Sequence, residues 1–391
     1  MKYYLPFLLF FLSVFTHAQE ENVKVDTIIK KPILDLKEEG FLKNIDAYFY
    51  SRLGFLNHSE HGRDDDFTEF RNSYVAMGIR GQIHENIGFS YRQRFNKSSE
   101  RQSLDLLDNS IELAYVDLKV APKTQLQLGK MSAYFGGYEY EFNPIDVLEY
   151  NEVSSNLLAY VSGVGITHQI AKNHLLGFQA LNSRTMRYAD LYEGKVEENV
   201  QEPKWPLALV LKWQGDFYDK KFQTIYSISR YRIAKGHATT YAVTLGNKYQ
   251  TEKWTLMYDF NYSHEQLDTK GIVTSILNTE KIAQDASYIE NWLRAEYMIS
   301  SKFQALLTLM NSNSYAENAK GENSGFDHLK TSYGVIPTLY YRPFKEIDVR
   351  FYASYIGRYY TFSNFVKKDL DISNYNTNEF QVGLMAPLWV F

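Results

Sequence analysis

Hydrophobic and polar residues alternate with a period of two along most of this chain, which is the pattern of β-strands. In one run, Trp254, Tyr258 and Tyr262 fall on one face, and Asp259 and Asn261 fall on the other. Because successive side chains of a strand point to opposite sides of its sheet, such a run has one apolar face and one polar face.

Runs of this kind predict about sixteen strands. They cover residues 44–56, 70–83, 86–96, 109–120, 123–133, 161–171, 173–184, 205–216, 220–234, 237–250, 253–265, 286–300, 302–314, 330–343, 346–360 and 378–391. The connections alternate between short turns and long loops, apart from a short "AKGH" where a long loop is due.

An even number of strands with alternating short and long connections is typical of an outer-membrane barrel. The sequence therefore predicts an all-β fold, a transmembrane antiparallel β-barrel over residues 44–391 in the bacterial outer membrane. A secreted sandwich or propeller is the alternative, but a soluble protein would have to cover many tyrosine-rich apolar stripes.

Composition supports the barrel. Aromatic residues make up 16% of the chain and Tyr alone occupies 32 positions, and these side chains suit a membrane–water interface. The net charge of −4 gives no electrostatic footprint for nucleic acid. The absence of Cys excludes disulfide bonds.

The N-terminal stretch "MKYYLPFLLFFLSVFTHA" has the layout of a secretory signal peptide over residues 1–18. Its apolar run is too short for a spanning helix, which needs about 20 residues. Residues 19–43 are charged, without a strong period, and are interpreted as a periplasmic leader segment. Trp389 and Phe391 indicate an aromatic final strand near the periplasmic girdle.

Arginines recur on the polar face of the first three predicted strands and of strands 14 and 15. In a closed barrel strand 16 pairs with strand 1, so these strands form nearly one continuous arc. We predict that this basic arc lines the pore; it consists of Arg52, Arg80, Arg92, Arg94, Arg342, Arg350 and Arg358. The alternative is that these arginines form structural ion pairs with barrel acids such as Asp46, Glu112, Glu296 and Asp348.

The stretch "AYFGGYEYEFNPIDVLEYNEVSSNLLAY", residues 133–160, is neither strand nor tight turn, and it contains no Lys or Arg. We predict that this long loop after strand 5 folds into the lumen and narrows it, with Gly136 and Gly137 as the hinge. Its apolar side chains would then pack on the barrel wall, and its acidic side chains would face the basic arc and set a transverse field. The constriction residues are Tyr138, Glu139, Glu141, Asp146, Glu149 and Glu152. An exposed acidic surface loop is the alternative.

No nucleotide-binding, hydrolase or metalloprotease motif is present in the sequence, so no enzymatic activity and no cofactor are predicted. His58, His61 and residues 64–66 in the first long loop could hold a divalent ion. A solvated charge run explains them more simply, so no metal site is predicted.

The stretch "IELAYVDLKVAPKTQLQLGKMSAYFGGYEYEFNPIDVLEY", followed by "VSGVGITHQI", resembles the phosphate-selective porin O and P family. The resemblance implies a sixteen-stranded porin, usually a homotrimer, whose best-known members line the channel with Arg and Lys for anions. Residues 134–160 depart from this pattern because they contain no basic residue.

We therefore expect passive diffusion of small hydrophilic or anionic solutes, with at most a mild, phosphate-like anion preference. Outer-membrane lipids and lipopolysaccharide are the expected surroundings. The loop at 57–69 is the expected latch between protomers. A second function stays open: a non-conducting barrel that serves as platform for a partner lipoprotein or surface complex.

Overall fold

A computed structural model describes residues 44–61, 65–198, 200–236, 239–321 and 324–390. The predicted signal peptide and leader segment lie outside these ranges. Sixteen antiparallel strands form a closed barrel in which each strand pairs with its sequence neighbours and β16 pairs with β1. The strands are β1 (Ile45–His61), β2 (Phe67–His84), β3 (Ile87–Arg94), β4 (Ile111–Ala121), β5 (Thr124–Ser132), β6 (Tyr160–Ala171), β7 (His174–Asn182), β8 (Leu207–Phe217), β9 (Phe222–Arg232), β10 (Thr239–Gln250), β11 (Trp254–Glu265), β12 (Ala286–Met298), β13 (Phe303–Glu317), β14 (Phe326–Tyr341), β15 (Arg350–Phe362) and β16 (Tyr375–Trp389).

Alternation along the strands separates two surfaces. On β8, Leu207, Leu209 and Leu211 are exposed, while Ala208 and Val210 between them are buried. The exposed hydrophobic side chains form the outer face, which suits contact with lipid.

Aromatic pairs gather near the short-turn end of the barrel. Trp254 packs against Tyr297 with ring centroids 4.6 Å apart, and Phe303 packs against Tyr341 at 5.0 Å. Rings at this level correspond to the aromatic girdle at a membrane interface. The period-two prediction of strands and faces is therefore confirmed.

The first hairpin is longer than predicted, because most of the expected loop at 57–69 belongs to β1 and β2. Asn57 pairs in register with Thr68, and its side-chain amide donates to the Thr68 hydroxyl at 2.7 Å. His58 stacks on Phe67 with ring centroids 4.8 Å apart. The prediction of a long loop here was wrong, since the strands continue through residues 57–61 and 67–69, where apolar and polar residues do not alternate.

Short helices lie only in the long connections of the described chain. They are α1 (Tyr138–Glu141), α2 (Glu152–Ser155), α3 (Tyr188–Tyr192), α4 (Ile272–Leu277) and α5 (Asn364–Asp369). Among the described residues, none of the helices has the length and apolar character to cross a membrane. The connection between β5 and β6, residues 133–159, carries α1, a 3-10 turn at Pro144–Asp146 and α2; it is called the β5–β6 segment below.

Candidate channel constriction

The β5–β6 segment leaves β5 through two glycines whose conformations differ. Gly136 has φ of +93°, in the left-handed region that favours glycine. Gly137 lies against the wall so closely that a Cβ there would sit 2.3 Å from Asp259 Oδ1. Gly246 on β10 makes room for the same carboxylate, since a Cβ there would sit 2.8 Å from Asp259 Oδ1.

Two buried carboxylates of the wall hold the first turns of α1 and α2. Asp259 on β11 accepts hydrogen bonds from the backbone N–H groups of Tyr138, at 2.9 Å, and Glu139, at 2.8 Å. Glu290 on β12 accepts from the backbone N–H of Val153 at 2.8 Å, and from the hydroxyl of Ser154. The first N–H groups of a helix have no partner within the helix, so these carboxylates satisfy them and oppose the positive end of the helix dipole.

Arginines hold the middle of the segment. The Arg52 guanidinium on β1 donates to the carbonyl oxygens of Ile145, at 3.0 Å, and Val147, at 2.6 Å. Arg350 on β15 forms an ion pair with Asp146 at 2.5 Å. Charge-assisted hydrogen bonds in a buried setting are stronger than neutral ones, so these contacts fix the segment against both strands.

Further ion pairs join acidic residues of the segment to other strands. Glu149 lies 3.5 Å from the Arg358 guanidinium on β15. Glu141 lies 3.4 Å from Lys212 Nζ on β8, and Glu152 pairs with Lys330 on β14. Of the predicted constriction acids, only Asp146 and Glu149 therefore contact arginines of the predicted arc.

Glu139 points away from the arc. It is buried, and its carboxylate accepts a hydrogen bond from the backbone N–H of Asn151 at 2.7 Å. Burial and the nearby carboxylate of Glu290 raise the pKa of Glu139 well above its usual range. Its contribution to the field in a channel is accordingly smaller than the sequence suggests.

The remaining arc arginines have partners within the barrel wall. Arg92 lies 2.7 Å from the Glu112 carboxylate and donates to the Tyr160 hydroxyl at 2.6 Å. Arg80 pairs with Asp46 at 3.3 Å.

Arg342 and Arg94 are the last two of the seven arginines in the predicted basic arc. Arg342 lies 3.9 Å from Asp348, and Arg94 donates to the carbonyl oxygen of Ser73 at 3.0 Å. Ion pairs with Asp46, Glu112 and Asp348, the structural alternative considered for these arginines, are thus present. The role of the seven arginines in lining the pore stays a prediction.

Two cavities separate the β5–β6 segment from strands β1–β6. One, of about 790 Å³, lies toward the short turns, and the other, of about 170 Å³, lies toward the long loops. The two cavities adjoin and share five lining residues, of which three are tyrosines: Tyr140, Pro144, Tyr150, Ala159 and Tyr160.

Cations outnumber carboxylates along these two cavities. The lining cations are Arg80, Arg92, Arg94, Lys97, Lys130 and Lys212. The lining carboxylates are Asp46, Asp117, Glu112 and Glu141. The excess of positive charge is small, because several cations have a carboxylate partner beside them.

Four wall residues that contact the β5–β6 segment were not predicted as site residues: Asp259, Glu290, Lys212 and Lys330. Asp259 and Glu290 are both 0% exposed. Each shares the inward face of its strand with other charged residues, Glu265 on β11 and Arg294 and Glu296 on β12, so the sequence pattern alone does not single them out. Among the described residues, no group of three or more His, Cys, Asp or Glu is placed to hold a metal ion; Asp64 lies outside them.

We expect Gly137→Ala to loosen the β5–β6 segment, because the added methyl group would collide with the Asp259 carboxylate. Overpacking of this kind typically costs about 1–3 kcal/mol. Hydrogen exchange by mass spectrometry should show faster uptake over residues 133–159. Gly88→Ala on β3 is the matched control, since the nearest atoms to its methyl group would be Gly81 O, at 3.3 Å, and Asp117 Cβ, at 3.6 Å, outside the β5–β6 segment. Equal uptake in the two variants would contradict the close contact.

Comparison with known proteins identifies the family. The sequence profile of the family described as phosphate-selective porin O and P matches residues 47–385. The chain belongs to this family. As a phosphate-selective porin O and P member it is a porin of the bacterial outer membrane. No curated protein matches it significantly.

Solved structures with the same fold include other outer-membrane proteins. The anion-selective porin from Comamonas acidovorans has a TM-score of 0.59 at 9% identity, with 88% of this chain and 98% of that chain covered. The outer membrane channel DcaP of Acinetobacter baumannii has a TM-score of 0.56 at 11% identity, with coverage of 87% and 98%. OmpT of Vibrio cholerae, in a trimer form, has a TM-score of 0.53 at 11% identity, with coverage of 88% and 99%. At such low identity these likenesses concern the fold alone.

Proposed function

We propose that this phosphate-selective porin O and P member passes small hydrophilic solutes by passive diffusion, and that their route runs between the β5–β6 segment and strands β1–β6. The observation that carries the proposal is that Tyr150 and Tyr160 line both cavities, and the proposed junction of the route lies between these side chains. Membership of the porin family supports a role as a channel.

The proposal places the β5–β6 segment across the lumen. Its contacts support this, because they reach strands that are far apart around the barrel: Arg52 on β1, Lys212 on β8, Asp259 on β11 and Arg350 on β15. A segment that bridges such strands narrows the lumen, and the wider β1–β6 side keeps the open route.

A mild anion preference follows from the lining charges of that route. The cations exceed the carboxylates, and charges that line a narrow pore bias the ions it admits. A porin of the same fold is described as anion-selective. A phosphate-specific site is not proposed, because the segment has no basic residue and most arc arginines already contact a carboxylate.

Swelling of liposomes that contain the purified protein tests the diffusion function. We expect swelling in solutions of small neutral sugars, at rates that fall steeply with solute size because the junction is narrow. Liposomes without protein are the control. Swelling no faster than in the control would contradict the porin function and favour the non-conducting platform.

We further propose a homotrimer in a membrane of lipid and lipopolysaccharide, with the outer ends of β1 and β2 as the contact between protomers. Phe70 on β2 is 76% exposed and packs on Phe55 of β1 with ring centroids 5.1 Å apart. Native mass spectrometry in mild detergent should give three times the protomer mass, and Phe70→Asn should shift the protein toward monomers. A monomeric wild-type protein would contradict the trimer.

A further inference from the structure

A third cavity of about 140 Å³ lies on the side of the long loops; it shares Phe135 with the 790 Å³ cavity and Leu157 with the 170 Å³ cavity. It is enclosed by the segment, by strands β9–β12 and by the long connections after β7 and β11. Most of its surface is apolar. The apolar lining includes Phe135, Leu157, Leu191, Tyr192, Tyr231 and Ile233. Aromatic and aliphatic walls of this kind suit the face of a small ring compound.

Uncharged polar groups lie among this apolar lining. Thr244 donates its hydroxyl to the Asn261 side chain at 2.7 Å. Thr240 also lines the cavity; its hydroxyl is buried and has no hydrogen-bond partner among the described residues. A buried polar group without a partner is costly, and rotation of this side chain about its Cα–Cβ bond would offer the hydroxyl to a ligand that carries a hydroxyl or carbonyl group.

Charged groups around the cavity have partners within the protein. Lys270 pairs with Glu265, whose carboxylate also accepts from the Thr269 hydroxyl at 2.8 Å. Arg184 pairs with Glu202 at 2.6 Å. The other acid in the lining, Glu290, is occupied by the hydrogen bonds from α2. A charged ligand would lose its hydration without finding a free counter-charge, so the cavity favours an uncharged one.

The cavity is closed toward the short-turn side. A further cavity of about 510 Å³ lies there, next to strands β7–β11, and the two have no lining residue in common. Between them lie Gly137 and Gly246, packed against each other, and the Asp259 carboxylate that holds α1. A molecule in the 140 Å³ cavity would therefore be bound there and not passed on.

We propose that this cavity is a binding site, open to the long-loop side, for a small uncharged ring compound with one or two hydroxyl groups. The site goes beyond the proposed diffusion function, since its occupant would be held against strands β9–β12 and not along the route beside β1–β6.

Ligand-observed fluorine NMR with 4-fluorobenzyl alcohol tests the site on the full barrel in detergent. Ala242 lines the cavity, so Ala242→Phe should fill it and abolish saturable binding. Val243→Phe adds the same ring on the opposite face of β10 and is the matched control for partition into detergent. Thr240→Val keeps the shape but removes the hydroxyl, and it should weaken binding about fivefold, the typical effect of one hydrogen bond.

We expect the wild type and Val243→Phe to bind 4-fluorobenzyl alcohol saturably. The charged analogues 4-fluorobenzoate and 4-fluorobenzylamine should give the same signal with the wild type and with Ala242→Phe. Equal binding of the alcohol by the wild type and Ala242→Phe, or no saturable binding by the wild type, would overturn the proposal. If Ala242→Phe fails to fold, as judged from its electrophoretic mobility before heating, Thr240→Val decides. Unchanged affinity in that variant would overturn the proposal as well.

Discussion

Deleting residues 138–152 is expected to raise the single-channel conductance roughly twofold or more, because the narrowest part of a pore dominates its resistance. The deletion removes α1 and the 3-10 turn, with the contacts to Arg52, Asp259 and Arg350. The barrel itself should persist, since the ladder between β5 and β6 runs from Thr124–His168 to Ser132–Tyr160 without these residues. Conductance steps in planar bilayers measure the effect.

The matched control for this deletion is the removal of residues 188–198, which belong to another long connection and line neither cavity of the proposed route. It should leave the conductance near the wild-type value. Equal conductance in the wild type and in the 138–152 deletion would contradict the account, because the segment would then not form the constriction.

Reversing the charges of Arg94 and Lys97 is expected to move the chloride-to-potassium permeability ratio toward cations by about threefold or more. A unit charge about 6 Å from a permeating ion in water contributes ~0.7 kcal/mol, a factor of about 3. Both residues line the smaller cavity of the route. Arg92 is left in place because its pair with Glu112 is buried, and breaking such a pair typically costs 3–5 kcal/mol of stability.

The double variant Arg94→Glu, Lys97→Glu should act most strongly at low salt, where screening is weakest. Arg71→Glu is the matched control, since Arg71 pairs with Glu69 at 2.5 Å and lines neither cavity. Glu141→Gln should move the ratio the other way, because Glu141 lines the larger cavity. A permeability ratio that stays the same in the double variant would show that these cations do not act on the permeating ions.

The strands could be predicted from the sequence wherever they cross the membrane. There the two faces meet different surroundings, lipid and lumen, and residues such as Trp254 and Asp259 must alternate. The prediction failed at Asn57 and His58, where the two strands stay paired although apolar and polar residues no longer alternate. The 16-strand barrel can be predicted from the local pattern, whereas the length of the β1–β2 hairpin cannot.

The candidate site was less accessible to sequence reasoning. The acidic, aromatic character of the β5–β6 segment marked it as unusual, but its partners are set by the closed barrel. Glu152 meets Lys330 at a separation of 178 residues, and Asp146 meets Arg350 at 204. No local pattern reports which side chains of distant strands such a segment will contact. Glu139 illustrates the consequence, since its carboxylate is buried beside α2 and does not face the arginines.

The reversal potential of the wild-type protein under a potassium chloride gradient in planar bilayers tests the central claim most directly. The account predicts stable conductance steps and a reversal potential displaced modestly toward the chloride equilibrium potential. The absence of stable steps would contradict the porin function. Stable steps with a reversal potential on the potassium side would contradict the anion preference drawn from the lining of the β1–β6 route.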